Sequence, residues 1–341
     1  MSSEITDILR ASAREFISKS VPSGENGLEK SGITAELRKK LADQGFLNIA
    51  LSPEAGGAGL EIEPYIAVLE EFSRVEPSIA MEIMLINSVA GKLLGHFEDG
   101  MEMLRKTASG EKSFIVSVPG EYVKNSVHSK EATLSGDVPV AVGGSPEYLI
   151  MNEPAGRTLL VRSGISFRKF QKPLGFRALS WGKVEIKDGQ YEKVGDRSLE
   201  NIFLSGINLE VSAIALGIAE GAIEKTIEYT KVRKVFNTSL KDFGPVASAM
   251  SRMKTEIELL RTAITSESVH ENQEMIRHKS LELALNASRA AVQYHGGYGY
   301  FEAFGIEKLY RDSMTMKMMF GGLKQDLILH KKIYGSESGF L

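Results

Sequence analysis

The hydrophobic spacing of this chain changes twice, and that change constrains the fold more than any single motif. From Ser3 to about residue 112, apolar side chains recur at helical spacing, as at Ile66, Leu69, Phe72 and Val75. The glycine-rich turn Gly56-Gly57-Ala58-Gly59 interrupts that run. Between 113 and 205 the pattern becomes short β-type runs bounded by Gly and Pro turns: Phe114-Ile115-Val116, Tyr148 to Met151, Thr158 to Val161 and Lys183 to Ile186. From Gly206 helical spacing returns, with Leu216, Ala219, Ile223 and Ile227 on one stripe and further amphipathic stretches at 246–270, 274–295 and 307–332. The spacing predicts a multidomain α+β chain. An N-terminal all-α domain spans residues 1–112, a central small β domain 113–205, and a C-terminal four-helix bundle 206–341.

Composition narrows the chemistry. The chain has no cysteine, which excludes disulfides, thiolate catalysis and Cys-ligated metal clusters, and its six histidines include no i, i+4 pair. Redox chemistry here requires a bound organic cofactor. A formal charge of −3 gives no general attraction to nucleic acid or to an anionic membrane, so an anionic ligand must be held locally. The N-terminus MSSEITDILRASAREF has no apolar signal core, and no long uninterrupted apolar run suggests a membrane span; a cytoplasmic location is expected.

Three strings carry a resemblance to a known family. The first is LADQGFLNIALSPEAGGAGL (residues 41–60) with VLEEFSRVEPSIA (68–80); the second is ALGIAEGAIEKTIEYTKVRKVF (215–236). The third is AVQYHGGYGY (291–300) with IEKLYRD (306–312), and LGFRALSWGKVEI (174–186) is a weaker fourth. Together, and in this order, they resemble the acyl-CoA dehydrogenases. The resemblance implies that family's helix, strand, helix fold, FAD at a subunit interface, and α,β-dehydrogenation of an acyl-CoA thioester. In that reaction a glutamate removes the α-proton while flavin accepts the β-hydride. Such a base belongs in a dry pocket, where burial raises a carboxylate's pKa toward neutrality.

The resemblance fails at the base. Most relatives carry it in a Tyr-Glu-Gly-Thr string after an Arg-Asp pair, and counting from Arg311-Asp312 puts Met319-Phe320-Gly321-Gly322 there. Phe320 cannot accept a proton. A minority place the glutamate at the start of the first C-terminal helix; counting back from Arg233-Lys234 without gaps gives Ile207-Asn208, and a three-residue gap brings Glu210 into register. Glu210 is the candidate base. Its plainer reading is an acidic residue complementing a helix N-terminus.

The implied flavin contacts divide in two. Relatives hold their own flavin with hydroxyl-bearing strings in the β domain. Here those strings read Ser117-Val118-Pro119-Gly120-Glu121-Tyr122-Val123-Lys124 and Val140-Ala141-Val142, leaving Ser117 as the one comparable hydroxyl. The strings that reach a neighbouring subunit's FAD are present as Arg233, Lys234 and Phe236, and as Gln293, Gly296 and Gly297, although a glutamine expected beyond Phe236 is Gly244. Arginine offers a bidentate fork to pyrophosphate, and paired glycines let backbone approach a ligand. Residues alone favour a solvated helix face at Arg233-Lys234 and a helix-ending turn at Gly296-Gly297, and it is the ordered resemblance that points to FAD contact. Met314, Met316, Met318 and Met319 read as core filler rather than an acyl pocket. Gly56 to Gly59 reads as a connecting turn, because no Lys-Ser/Thr follows.

Three functions remain open at this level. One is a homodimeric or homotetrameric acyl-CoA dehydrogenase using Glu210. The second is a base-lacking subunit that pairs with a complete relative in a hetero-oligomer, and the depleted cis contacts favour it. The third is a flavin-free scaffold or acyl-CoA binding protein with the same fold.

Overall fold

The computed structural model describes residues 2–22, 27–119, 124–130, 132–153, 156–194, 198–266 and 269–335. The N-terminal region contains α1 (Ser2–Ser20), α2 (Leu28–Ser31), α3 (Ala35–Asp43), α4 (Ile62–Ser73), α5 (Pro77–Met84), α6 (Gly91–Leu93) and α7 (Gly100–Ala108). Seven strands follow: β1 (Ile115–Ser117), β2 (Ser126–Lys130), β3 (Thr133–Gly143), β4 (Leu149–Asn152), β5 (Thr158–Val161), β6 (Ile165–Lys169) and β7 (Ser180–Val194). After the short α8 (Leu199–Asn201) come α9 (Asn208–Val232), the hairpin β8 (Lys234–Val235) and β9 (Thr238–Ser239), and α10 (Gly244–Ile264). The chain ends in α11 (Val269–His295), α12 (Ile306–Phe320) and α13 (Leu323–Tyr334). Helices, then strands, then helices is the order that the spacing predicts. By internal contacts the chain forms two compact units: residues 1–27, 66–80 and 208–341 make one, and residues 28–65 and 81–207 the other.

In the second unit the strands run β2-β3-β1-β4-β5-β7-β6, and an added β3–β7 pairing closes five of them into a ring, with β2 and β6 flanking it as edge strands. Among the described residues, only β1 and β4 pair in parallel. Alternate residues point inward, so Ile115, Val138, Leu149, Leu159, Val161, Val184 and Ile186 share one core. The Gly56–Gly59 segment is a tight turn: Gly56 and Gly59 take φ of +78° and +62°, and the Gly59 N–H donates to the Leu51 carbonyl at 2.8 Å.

In the first unit α9 is central. Every residue from Asn208 to Ile223 is buried, so the helix is enclosed all round rather than along the single stripe that its sequence shows. Helices α10, α11 and α12 pack on it, and α13 packs on α11. Gly217 and Gly221 let it approach residues 70–74 closely: a Cβ at Gly221 would overlap the Arg74 carbonyl, and one at Gly217 would lie 2.6 Å from Ser73 Cβ. An ionic network ties the helices of this unit. Glu71, buried, accepts from Arg10 at 3.0 Å, Arg14 at 2.7 Å and Arg74 at 2.8 Å, while Glu70 and Glu220 share Arg261. Buried ion pairs of this kind favour one arrangement over its alternatives, and losing one member leaves a charge without compensation.

Three local expectations change. The stretch 307–332 is two helices, broken where Gly321 and Gly322 (φ +97°) leave helical geometry. Val75 lies beyond the end of α4 and is exposed. Of the methionine run, Met316 and Met319 are buried as core residues, but Met318 is 68% exposed because it faces away from the bundle. Pro77–His96 is apolar and long enough to cross a membrane, but 83% of its apolar window is buried within the protein, as in a core helix.

Candidate functional site

The end of α9 and the end of α11 meet in a groove of about 400 Å³. Four of the residues singled out in the sequence line it: Arg233, Gln293, Gly296 and Gly297. Their convergence follows from local structure. Helix α9 stops at Val232, so Arg233 leads into the hairpin, exposed and with no side-chain partner among the described residues. Helix α11 stops at His295, and Gly296 ends it with φ of +58°, the left-handed conformation that favours glycine at a helix C-terminus. No heavy atom lies within 4 Å of where a Cβ at Gly296 or Gly297 would stand, so this backbone is open to a ligand. Such an arrangement can accept a phosphate-bearing group, through one fixed cation and an approachable glycine backbone.

Aromatic rings wall the groove. His295 stacks on Tyr229 at 4.4 Å between centroids, Tyr229 meets Tyr298 edge-on, and Tyr298 meets Phe304 at 5.0 Å. Burial pushes the His295 pKa down, the Lys225 charge adds to this, and backbone hydrogen bonds oppose it; the ring donates Nδ1–H to the Ala291 carbonyl at 2.8 Å. A neutral, fixed imidazole serves here as a stacking surface.

Phe236 stands apart from the groove lining. It forms, with Asn237, the two-residue turn of the β8–β9 hairpin, both at positive φ (+49° and +65°), the geometry of a type I′ turn. An aromatic residue is uncommon there, and this one is 94% exposed.

Ser117 belongs to the other compact unit. It is buried in β1 and accepts a hydrogen bond from the Asn152 N–H at 3.3 Å, while the Val118 N–H is committed to the Val140 carbonyl. Val142 is wholly buried in β3. Beside Ser117, the Asn152 Oδ1 atom is buried and unpaired among the described residues. Gly120, Glu121, Tyr122 and Val123 lie outside the described residues.

The two base positions converge on a residue that the sequence did not single out. Arg277 of α11, 1% exposed, donates Nε–H to the Phe320 carbonyl at 2.9 Å and Nη1–H to Asn208 Oδ1 at 3.0 Å. Its guanidinium also lies 5.7 Å from the centre of the Phe320 ring. Burial lowers the Arg277 pKa from its ordinary value, and the Glu274 carboxylate works against that shift. Glu210, two residues from Asn208, is 5% exposed in the first turn of α9. A cavity of about 260 Å³ adjoins Arg277, lined also by Phe320, Gly321, Gly322 and Gln325. A sequence signal for Arg277 did exist: it stands on the buried stripe of Leu281, Ala284, Ser288 and Ala291, where a charge needs a partner.

Comparison with known proteins agrees with this architecture. Residues 3–111 match the model of the acyl-CoA dehydrogenase N-terminal domain, and residues 204–324 that of the C-terminal domain. The short-chain-specific acyl-CoA dehydrogenase of Clostridium acetobutylicum is 28% identical over 378 residues, covering 96% of this chain and 97% of that protein. A 3-(aryl)acrylate reductase of Clostridium sporogenes is 26% identical over 348 residues, covering 90% and 92%. The solved structure of a glutaryl-CoA dehydrogenase from Mycobacterium smegmatis in complex with FADH2 superposes with a TM-score of 0.82 at 17% identity, covering 98% of this chain and 96% of that one. With both terminal domains matched in order around the strand region, the chain belongs to the acyl-CoA dehydrogenase family.

Proposed function

We propose that this chain is the base-lacking subunit of a flavin-dependent oxidoreductase acting on an acyl-CoA-type substrate, and that it works in a cytoplasmic hetero-oligomer with a complete family relative. The observation that carries the reading is an asymmetry. Arg233, Gln293, Gly296 and Gly297 converge on one open groove, whereas Phe320 stands where the family base is expected and is tied down by Arg277. The groove suits the adenosine and pyrophosphate half of a neighbouring subunit's FAD. Were it bound there, Arg233 would offset the pyrophosphate charge and the Gly296-Gly297 backbone would be open to it, with Tyr298 and Phe301 offering aromatic surface. Phe236, exposed on its hairpin tip, is free to meet a neighbouring subunit.

When bound, FAD supplies the hydride acceptor for α,β-dehydrogenation. The residues of this chain orient and exclude water; they offer no proton acceptor at Phe320, so the α-proton goes to a carboxylate of the partner subunit. The same groups serve α,β-reduction in reverse, in keeping with the reductase among the relatives. The Ser117 hydroxyl accepts from the Asn152 N–H and keeps its own proton to donate, so this chain would offer a flavin ring one hydroxyl in place of the family's several.

A second reading has its own support. Glu210 is buried in the first turn of α9, beside Asn208, and a buried carboxylate suits a homomeric enzyme's base. Visible spectroscopy separates the two. Purified alone, the chain should be nearly colourless, and it should gain flavin absorbance and thioester oxidation when mixed with a complete relative. Equimolar FAD in the chain alone, with turnover that Glu210→Gln abolishes, would establish the homomeric enzyme instead.

A further inference from the structure

A second groove, of about 460 Å³, lies between α10 and α11 and continues the first, because Gln293 and Tyr294 line both. Arg252 and Glu256 come to it from α10, and Lys279 and Arg289 from α11. Its charges are not balanced. Glu256 is committed to Lys279 at 3.3 Å, while Arg252 and Arg289 have no hydrogen bond or ion pair among the described residues. Apart from Arg233 in the first groove and the buried Arg277, the other arginines of this unit, Arg10, Arg14, Arg74, Arg261 and Arg311, each hold a glutamate. A chain with more carboxylates than cations has nonetheless left two guanidiniums facing one concavity.

We propose that the α10–α11 groove is a second ligand site, taking the phosphates of a nucleoside diphosphate on Arg252 and Arg289, with the amide of Gln293 and the ring of Tyr294 placed for the nucleoside. Guanidinium forks match phosphate oxygens bidentately, and two of them suit a diphosphate better than a monophosphate. Arg289 and Gln293 lie one helical turn apart, about 6 Å along the axis, which is the reach between a diphosphate and its ribose. The groove volume falls in the range of small-molecule sites, and its concavity suits a compact ligand better than an acidic protein surface. A nucleotide held there abuts the Gln293 end of the first groove, so it is placed to modulate whatever that groove holds. The site differs from the flavin groove in its cations, because it uses neither Arg233 nor the glycine pair, while Gln293 lines both.

The test is calorimetric titration of the full chain with ADP, AMP and inorganic pyrophosphate, at low and high salt. ADP should bind more tightly than either of the others. In the double variant Arg252→Gln/Arg289→Gln its affinity should fall about tenfold or more, the loss of two charge-assisted contacts. The double variant Arg252→Lys/Arg289→Lys should give an intermediate loss, and Arg233→Gln should leave unchanged the part of the ADP binding that the Arg252/Arg289 variants remove. Both targeted residues are exposed, so unchanged thermal midpoints check that the variants fold. Failure of ADP to bind overturns the proposal, as does equal binding of ADP and pyrophosphate. So does ADP affinity indifferent to both arginines while sedimentation shifts, which assigns them to an acidic protein partner. Flavin uptake in the complex reconstituted with a complete relative, unchanged in the Arg252/Arg289 variants and lowered by Arg233→Gln, reports separately on the first groove.

Discussion

Arg277 and Phe320 are joined twice, through a guanidinium-to-carbonyl hydrogen bond of 2.9 Å and through the face of the phenyl ring, across 43 positions of sequence. The same guanidinium reaches Asn208, so the start of α9 and the end of α12 are fixed to one another by a single buried side chain. These are the two positions at which the resemblance to the family leads one to expect a base. A positive charge and an aromatic ring now organise them.

Removing that clamp should be costly. Arg277→Met leaves the Phe320 carbonyl and the Asn208 amide without their donor, and the expected loss is about 2–4 kcal/mol of unfolding free energy. Arg277→Lys should recover only part of it, because one ammonium cannot span both acceptors. Urea denaturation measures both variants. A Met variant as stable as the parent would remove the structural role argued for Arg277.

Two glycine-to-alanine changes should separate folding from binding. At Gly221 the new methyl meets the Arg74 carbonyl, and an overpacked helix contact of this kind costs about 1–3 kcal/mol. At Gly297 it meets open space, so the thermal midpoint should hold while flavin uptake in the reconstituted complex falls. Equal effects on stability at the two sites would contradict the packing described for α9.

Phe236→Gly should leave the stability of the isolated chain within about 1 kcal/mol of wild type, since the lost ring is exposed and relief of the left-handed strain offsets the added chain entropy. Assembly with a flavin-bearing partner should weaken markedly. Analytical ultracentrifugation of the mixed proteins reads the second effect, and unaltered assembly would detach Phe236 from the interface.

Acid sensitivity should centre on Glu71. Burial raises its pKa, but hydrogen bonds from Arg14 and Arg10 and the charge of Arg74 outweigh that and hold it below the ordinary carboxylate value. A carboxylate depressed in the folded state stabilises fully above its unfolded pKa, and that contribution is lost as pH falls through the folded one. Stability should therefore decline below about pH 4.5, and Glu71→Gln should flatten the decline while lowering stability at neutral pH. A wild-type acid slope in the variant would assign the effect elsewhere.

Much of the fold was legible in the chain. The run Thr158 to Val161 stands out by its spacing and is β5, because four β-type residues between turns leave little choice of structure. The single stripe on α9 was less informative. A helix buried on every side must also place Asn208, Glu210, Ser212 and Glu220 inside, and their burial depends on partners from other segments. The break at Gly321-Gly322 was present as two glycines, yet periodicity ran through it. Arg277 was overlooked because a lone arginine in a long amphipathic helix ordinarily faces water.

The sequence by itself determined the order of helices and strands and the absence of a carboxylate at residue 320, since both are properties of local spacing and residue type. It also supplied Arg233, Gln293 and the Gly296-Gly297 pair as members of motifs. Only the tertiary structure decided that these line one groove, that Phe236 projects from a strained turn, and that Asn208 and Phe320 share Arg277. The reason is one of range. Helical and strand periods act over a few residues, whereas Arg277 meets Asn208 across 69 positions, and that contact exists only once the helices have packed.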